Sequence, residues 1–103
     1  MQPYGQQGRY RALPRYFFDL HNDIDALDPD GKELPDLEAA KIEALKDARE
    51  LIGASVERDG TIDLRHHINL RGENGDVLHT VWFEDALIVR RGDETLSQPS
   101  SKA

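Results

Sequence analysis

His67-Ile68-Asn69-Leu70-Arg71-Gly72-Glu73-Asn74-Gly75-Asp76-Val77-Leu78-His79-Thr80-Val81-Trp82 consists of two short β-prone runs around an Asn-Gly pair. Asn-Gly accepts the positive φ angles of a type I′ turn, so it predicts an antiparallel hairpin. With that pair as the turn, Leu70 faces His79, Ile68 faces Val81 and His67 faces Trp82. Ile68, Leu70, Val77, Val81 and Phe83 then share one face, and His67, Asn69, Arg71, Leu78, Thr80 and Trp82 share the other. A slip by one residue would scatter the apolar set, which is what specifies the register.

Working outward, the segment before the hairpin reads as a long helix. Pro35-Asp36 opens it, with Asp36 as N-cap and Glu38 near the positive end of the dipole, and Asp59-Gly60 closes it. Leu37, Ala40, Ala44, Leu45, Ala48, Leu51, Ile52 and Val56 fall within one arc at 100° per residue, opposite Glu43, Lys46, Asp47, Glu50 and Glu57. The strip Ala40-Ala44-Ala48 lets the helix axis lie close on a sheet. Arg15 to His21, aromatic-rich after Pro14, reads as a strand. Ile24 to Leu27 is expected as a short return strand before the turn Asp28-Pro29-Asp30-Gly31. Ala86 to Val89 is expected as a closing strand or helical turn. The fold class is therefore α+β, in the order β-β-α-β-β: a small antiparallel or mixed sheet with one amphipathic helix on one face. The first strand and Val77–Phe83, apolar on both sides, are expected at central positions.

The chain has 103 residues and reads as one domain over 14–91, with flexible tails at 1–13 and 92–103. With no cysteine, disulfides, a thiol nucleophile and thiolate metal sites are excluded. No apolar run approaches the roughly 18 residues of a membrane span, and no secretory-type segment opens the chain. The net charge of −7 argues against nucleic acid as the main ligand. Between Asp19 and Glu38 eight acids face Lys32 alone, an excess equal to the charge of the whole chain.

That acidic segment supplies the candidate cation ligands Asp19, His21, Asp23, Asp28 and Asp30, with Asp25 among them. A calcium-loop alignment with Gly31 at its sixth position places Ala26 and Leu37 at the first and last ligands, so the template fails. The bland reading, a solvated acidic turn, is favoured, and no cofactor is expected. His66 and His67 are neighbours on a strand and point to opposite faces, so they do not share an ion. His21 and Asp19, two apart on one strand face, form the pair with ligand-like geometry. Ser55 lies on the buried helix arc, and neither Thr61 nor Thr80 sits in a nucleophile elbow, so an enzyme is not expected. Gly72-Glu73-Asn74-Gly75 lacks the lysine of a phosphate loop. Arg9, Arg11 and Arg15 with Tyr4 and Tyr10 could track single-stranded nucleic acid, but the acidic segment opposes it. Phe17, Leu78, Trp82 and His67 form a candidate interaction face on the side of the sheet away from the helix. It is either a dimer or partner surface, or a surface that tail or C-terminal residues cover.

Pro14-Arg15-Tyr16-Phe17-Phe18-Asp19-Leu20-His21, Gly31-Lys32-Glu33-Leu34-Pro35-Asp36-Leu37-Glu38-Ala39-Ala40 and Asn74-Gly75-Asp76-Val77-Leu78 together resemble a family of small, uncharacterised alphaproteobacterial proteins. The resemblance covers the folded part and implies a bacterial, cytoplasmic protein; it brings no catalytic residues. Residues 1–13 depart from it, since members begin close to Pro14. A weaker, architectural likeness over Tyr16 to Ala48 is to antitoxin-like domains, which bind a small toxin protein. The function expected is a small protein-interaction or regulatory module that works through a protein partner or self-association. The alternatives are a small-ligand or divalent-cation binder using residues 19–30, and an antitoxin-like binder of a basic protein.

Overall fold

The computed structural model describes residues 13–92 and 94–95; the expected tails lie largely outside the described residues. Strand β1 (Arg15–His21) is followed by the two-residue β2 (Lys32–Glu33), helix α1 (Leu37–Asp59), β3 (His67–Arg71) and β4 (Val77–Trp82). A 3-10 turn at Phe83–Asp85 and a two-stranded ribbon, β5 (Arg90–Arg91) with β6 (Glu94–Thr95), complete the described chain. The ribbon carries described structure to Thr95, past the expected boundary at Arg91. The order β-β-α-β-β holds through β4. The main sheet is antiparallel throughout, with spatial order β2-β1-β3-β4.

Helix α1 starts and stops where its caps dictate. Asp36 accepts a hydrogen bond from the Ala39 N–H at 2.9 Å, and Gly60, at φ 69°, donates its own N–H to the Val56 carbonyl. Ala40, Ala44 and Ala48 are fully buried. Their small side chains bring the helix onto Tyr16 and Leu70 at one end of the sheet, and Ile68, Val81, Phe83 and Ala86 at the other. Phe18 packs against both clusters. Leu51 and Val56 were expected in the buried arc but are exposed. The helix has 23 residues and so runs about 35 Å. Strands of five to seven residues span only about 17–24 Å, so its last turns overhang the sheet.

Three expectations are corrected. The return from β1 is broken: Ala26 alone bridges to Leu20, the chain bulges at Asp28–Gly31, and pairing resumes at Lys32–Glu33 against Arg15 and Tyr16. Pro29 lacks the N–H that an unbroken ladder would use, and Gly31 takes a φ of 70°. Next, β4 is an edge strand; β3 takes the central place beside β1, where Arg71 of β3, paired with Phe17, reaches diagonally to the buried Asp19 of β1. Finally, the closing helical turn comes at Phe83–Asp85, ahead of Ala86. Ala86 is buried there, and its carbonyl accepts a hydrogen bond from Arg49 Nε at 2.7 Å.

The hairpin register matches its expectation from His67↔Trp82 to Leu70↔His79, then shifts at a bulge so that Arg71 pairs with Val77. The expected two-residue turn is instead a three-residue loop, Glu73-Asn74-Gly75, with the Gly75 N–H donating to the Gly72 carbonyl and the Gly72 N–H to that of Asp76. Val77 accordingly leaves the helix-facing set and is 55% exposed.

Candidate functional site

The face of the sheet away from α1 is built of cross-strand rows. In the middle row Thr80 donates its hydroxyl to the Asn69 side-chain oxygen at 2.8 Å, and Asn69 lies opposite Asp19. Asp19 is the buried charged residue among those described. Arg71 grips it with two bonds, Nε to Oδ2 at 2.7 Å and a terminal nitrogen to Oδ1 at 3.1 Å, and the Asp28 N–H donates to Oδ1 at 2.8 Å. Burial pushes the Asp19 carboxyl up, but the guanidinium and the Asp28 N–H outweigh it and hold it below the usual carboxylate range.

Asp28 completes the network. Its Oδ2 accepts the Phe18 N–H at 3.1 Å, a group that points to the broken return strand, and its Oδ1 accepts the N–H groups of Asp30 and Gly31. A carboxylate thus stands where a ladder carbonyl would have stood, and the backbone donors of the bulge are satisfied. Arg71 also lies over the Phe17 ring, 4.5 Å from its centroid. The loop therefore closes on Phe17 so tightly that a Cβ on Gly31 would lie 2.8 Å from both Phe17 Cε2 and Arg15 Cγ. Gly31→Ala is expected to cost at least about 1 kcal/mol from the left-handed backbone alone, with the clash added. Thermal denaturation should show a fall of at least about 4 °C; an unchanged midpoint would refute this packing.

The candidate interaction residues share the face but do not form one patch. Trp82 lies tilted on His67, ring centroids 4.2 Å apart, and His67 stacks on His21 at 5.0 Å, giving an aromatic row across β4, β3 and β1. Phe17 is separated from that row by the polar Thr80-Asn69-Asp19 row and is covered by Arg71. Leu78 is exposed near Gly72.

The candidate cation ligands do not come together. Asp19 and Asp28 are engaged by Arg71 and backbone N–H groups. Asp30 belongs to the bulge, where its carbonyl accepts from Arg15. His21 turns from Asp19 to Asp25, with Nδ1 3.0 Å from Oδ1. Asp23 instead reaches toward Asp63 and His66, two residues just ahead of β3 that the sequence reading had not joined to it. The Asp63-Leu64-Arg65-His66 turn makes this possible: Asp63 Oδ1 accepts the Arg65 N–H, and its carbonyl accepts that of His66. Asp two residues ahead of the N–H it bonds is an Asx-turn signal, and it was legible in the sequence. Arg65 also forks onto Asp63, and its side-chain hydrogen bonds hold that carboxyl well below the usual range.

The outer edge of β4 is the remaining feature. Phe83 donates its N–H to the His66 carbonyl. By alternation the N–H and C=O groups of Val81 and His79 also face β3, while those of Thr80 and Trp82 point off the sheet. Beside this edge runs a groove to the helix, lined by Ile42, Leu45, His79, Thr80 and Val81 with the charged Lys41 and Asp85.

The class this architecture defines is a small α+β domain, with one helix on an antiparallel four-strand sheet and an acidic loop locked to the opposite face. The family described as "Domain of unknown function (DUF6894)" matches residues 15–84, more than half of the chain, and the chain belongs to it. No curated protein and no solved structure matches the chain. No described helix is long and apolar enough to cross a membrane.

Proposed function

We propose that this chain is a cytoplasmic, non-enzymatic interaction module that self-associates along β4, two copies pairing edge to edge about a two-fold axis. One observation carries the reading: among the described residues Val77-Leu78-His79-Thr80-Val81-Trp82 is an open sheet edge, and it has no Lys, Glu, Asp or Pro in it. An edge that is β-prone and uncharged pairs with another strand unless something guards it. Val77, Leu78 and Trp82 are each more than 40% exposed, and Ile42 of the flanking groove is 70% exposed. Pairing of identical strands is self-complementary, as a two-fold interface requires. The hydroxyls of Ser55 and Thr80 are both taken up in internal hydrogen bonds, which supports a non-enzymatic role. A basic partner docking on the acidic segment has less support, because Asp19 and Asp28 are engaged within the fold.

Sedimentation equilibrium on the full chain tests this. A concentration-dependent dimer is expected. Trp82 has φ −81°, close to the angle proline imposes, so Trp82→Pro removes an outward N–H without straining the strand. It should weaken the dimer at least tenfold, and more than Trp82→Ala, which keeps the N–H. A wild-type chain that remains monomeric up to about 1 mM would refute the reading.

A further inference from the structure

We propose that Asp23, Asp63 and His66 bind one divalent transition-metal ion, zinc in preference to magnesium or calcium, where the loop after β1 crosses the chain just ahead of β3. The site is separate from the β4 edge, and its fate does not depend on self-association. Among the described residues, His66 Nε2 is a buried atom with no hydrogen-bond partner. A buried ring nitrogen left without a partner costs free energy, and an ion is one group that would compensate it. The atoms it faces are Asp63 Oδ2 at 3.4 Å and Asp23 Oδ1 at 3.6 Å. Neither contact has hydrogen-bond geometry, but both lengths suit two ligands of one ion. Ligands about 2.0–2.2 Å from a tetrahedral zinc lie about 3.3–3.6 Å from each other. All three donor atoms lie within 4.8 Å of one another.

The donor set selects the ion. One imidazole with two carboxylates suits zinc and its first-row neighbours, whereas magnesium and calcium take oxygen ligands alone. Two of the three ligands are held in place before any ion arrives. His66 packs edge-on against the Phe83 ring, with centroids 5.7 Å apart, and Asp63 is held by the Arg65 fork, Nε on Oδ1 at 3.0 Å and a terminal nitrogen on Oδ2 at 2.8 Å, so Oδ2 would take the ion through its remaining lone pair. Asp23, with its side chain 92% exposed, is free to close the third position. Three protein ligands leave a fourth position for water.

The test is titration of zinc chloride alone into the chelator-treated full chain, followed by calorimetry and by the ¹⁵N shift of His66 Nε2. One equivalent is expected to bind, with the shift confined to that nitrogen of His66. Cobalt should give the intense visible absorption of a tetrahedral site. Asp23→Asn, a change at an exposed side chain, and His66→Gln should each weaken zinc at least tenfold, while amide spectra report an intact fold. No binding up to about 1 mM zinc would overturn the proposal. Binding that His66→Gln retains would overturn it equally, since the ion would then sit on other residues, and binding that Asp23→Asn retains would overturn the three-ligand site.

Discussion

Arg71→Met is expected to lower the unfolding free energy by about 3 kcal/mol, near the lower end for breaking a buried ion pair because Arg71 keeps some exposure. The cost comes from what is left behind. Asp19 keeps its burial under the loop but loses two of its three donors, and the Asp28 carbonyl loses its contact with the same guanidinium. In a domain of this size such a loss lowers the thermal midpoint by at least about 12 °C. Asp19→Asn with Arg71→Met should recover much of it, since the pair removed together leaves no unpaired buried charge. Urea denaturation of the two single variants and the double closes the cycle; a loss below about 1 kcal/mol for Arg71→Met would refute this role.

The same network sets a pH dependence. The folded-state value of Asp19 lies below its unfolded value, near 3.9. Its contribution is therefore full above about pH 4 and is lost as pH falls through the depressed folded value. In Arg71→Met a protonated Asp19 needs no cationic partner, so the deficit of that variant should shrink as pH falls below about 4. A deficit that stays constant to pH 3 would assign the effect to lost packing on Phe17.

Leu70→Ala should be as damaging, at about 3–4 kcal/mol, because Leu70 is fully buried between Tyr16 and Ala40. Val77→Ala should cost no more than about 0.5 kcal/mol, as Val77 is exposed beyond the bulge. The pair is decisive because period-two alternation alone places both residues on one apolar face. Equal losses in chemical denaturation would mean that the bulge is absent and the regular register continues to the turn.

Much of the fold was legible because its signals are local. Asp36 and Gly60 define the helix through bonds to backbone a turn or less away. Asn74-Gly75 and the alternation beyond it placed four of the five β3–β4 pairs. The bulge escaped because nothing in residues 71–78 marks which strand takes the extra residue. The return strand was misplaced because Ile24–Leu27 looks β-prone by itself, while its ladder is interrupted by a side chain: Asp28 supplies the acceptor for Phe18. Among the acids of 19–30, local reading grouped residues by nearness in sequence. The fold sorted them by their partners, Arg71 from 43 residues beyond Asp28 and His66 from the segment ahead of β3.

By itself the sequence determined the fold class, the helix and its ends, the hairpin register from His67 to Leu70 and the concentration of charge between Asp19 and Glu38. All of these follow from periodicity, caps and turns within a few residues. Only the tertiary structure decided which strand lies at the edge, which aspartate is buried, and that Asp23 meets Asp63 and His66. Those outcomes depend on which side chains satisfy one another across the sheet, and a buried charge or an open edge exists only once distant segments have been placed side by side.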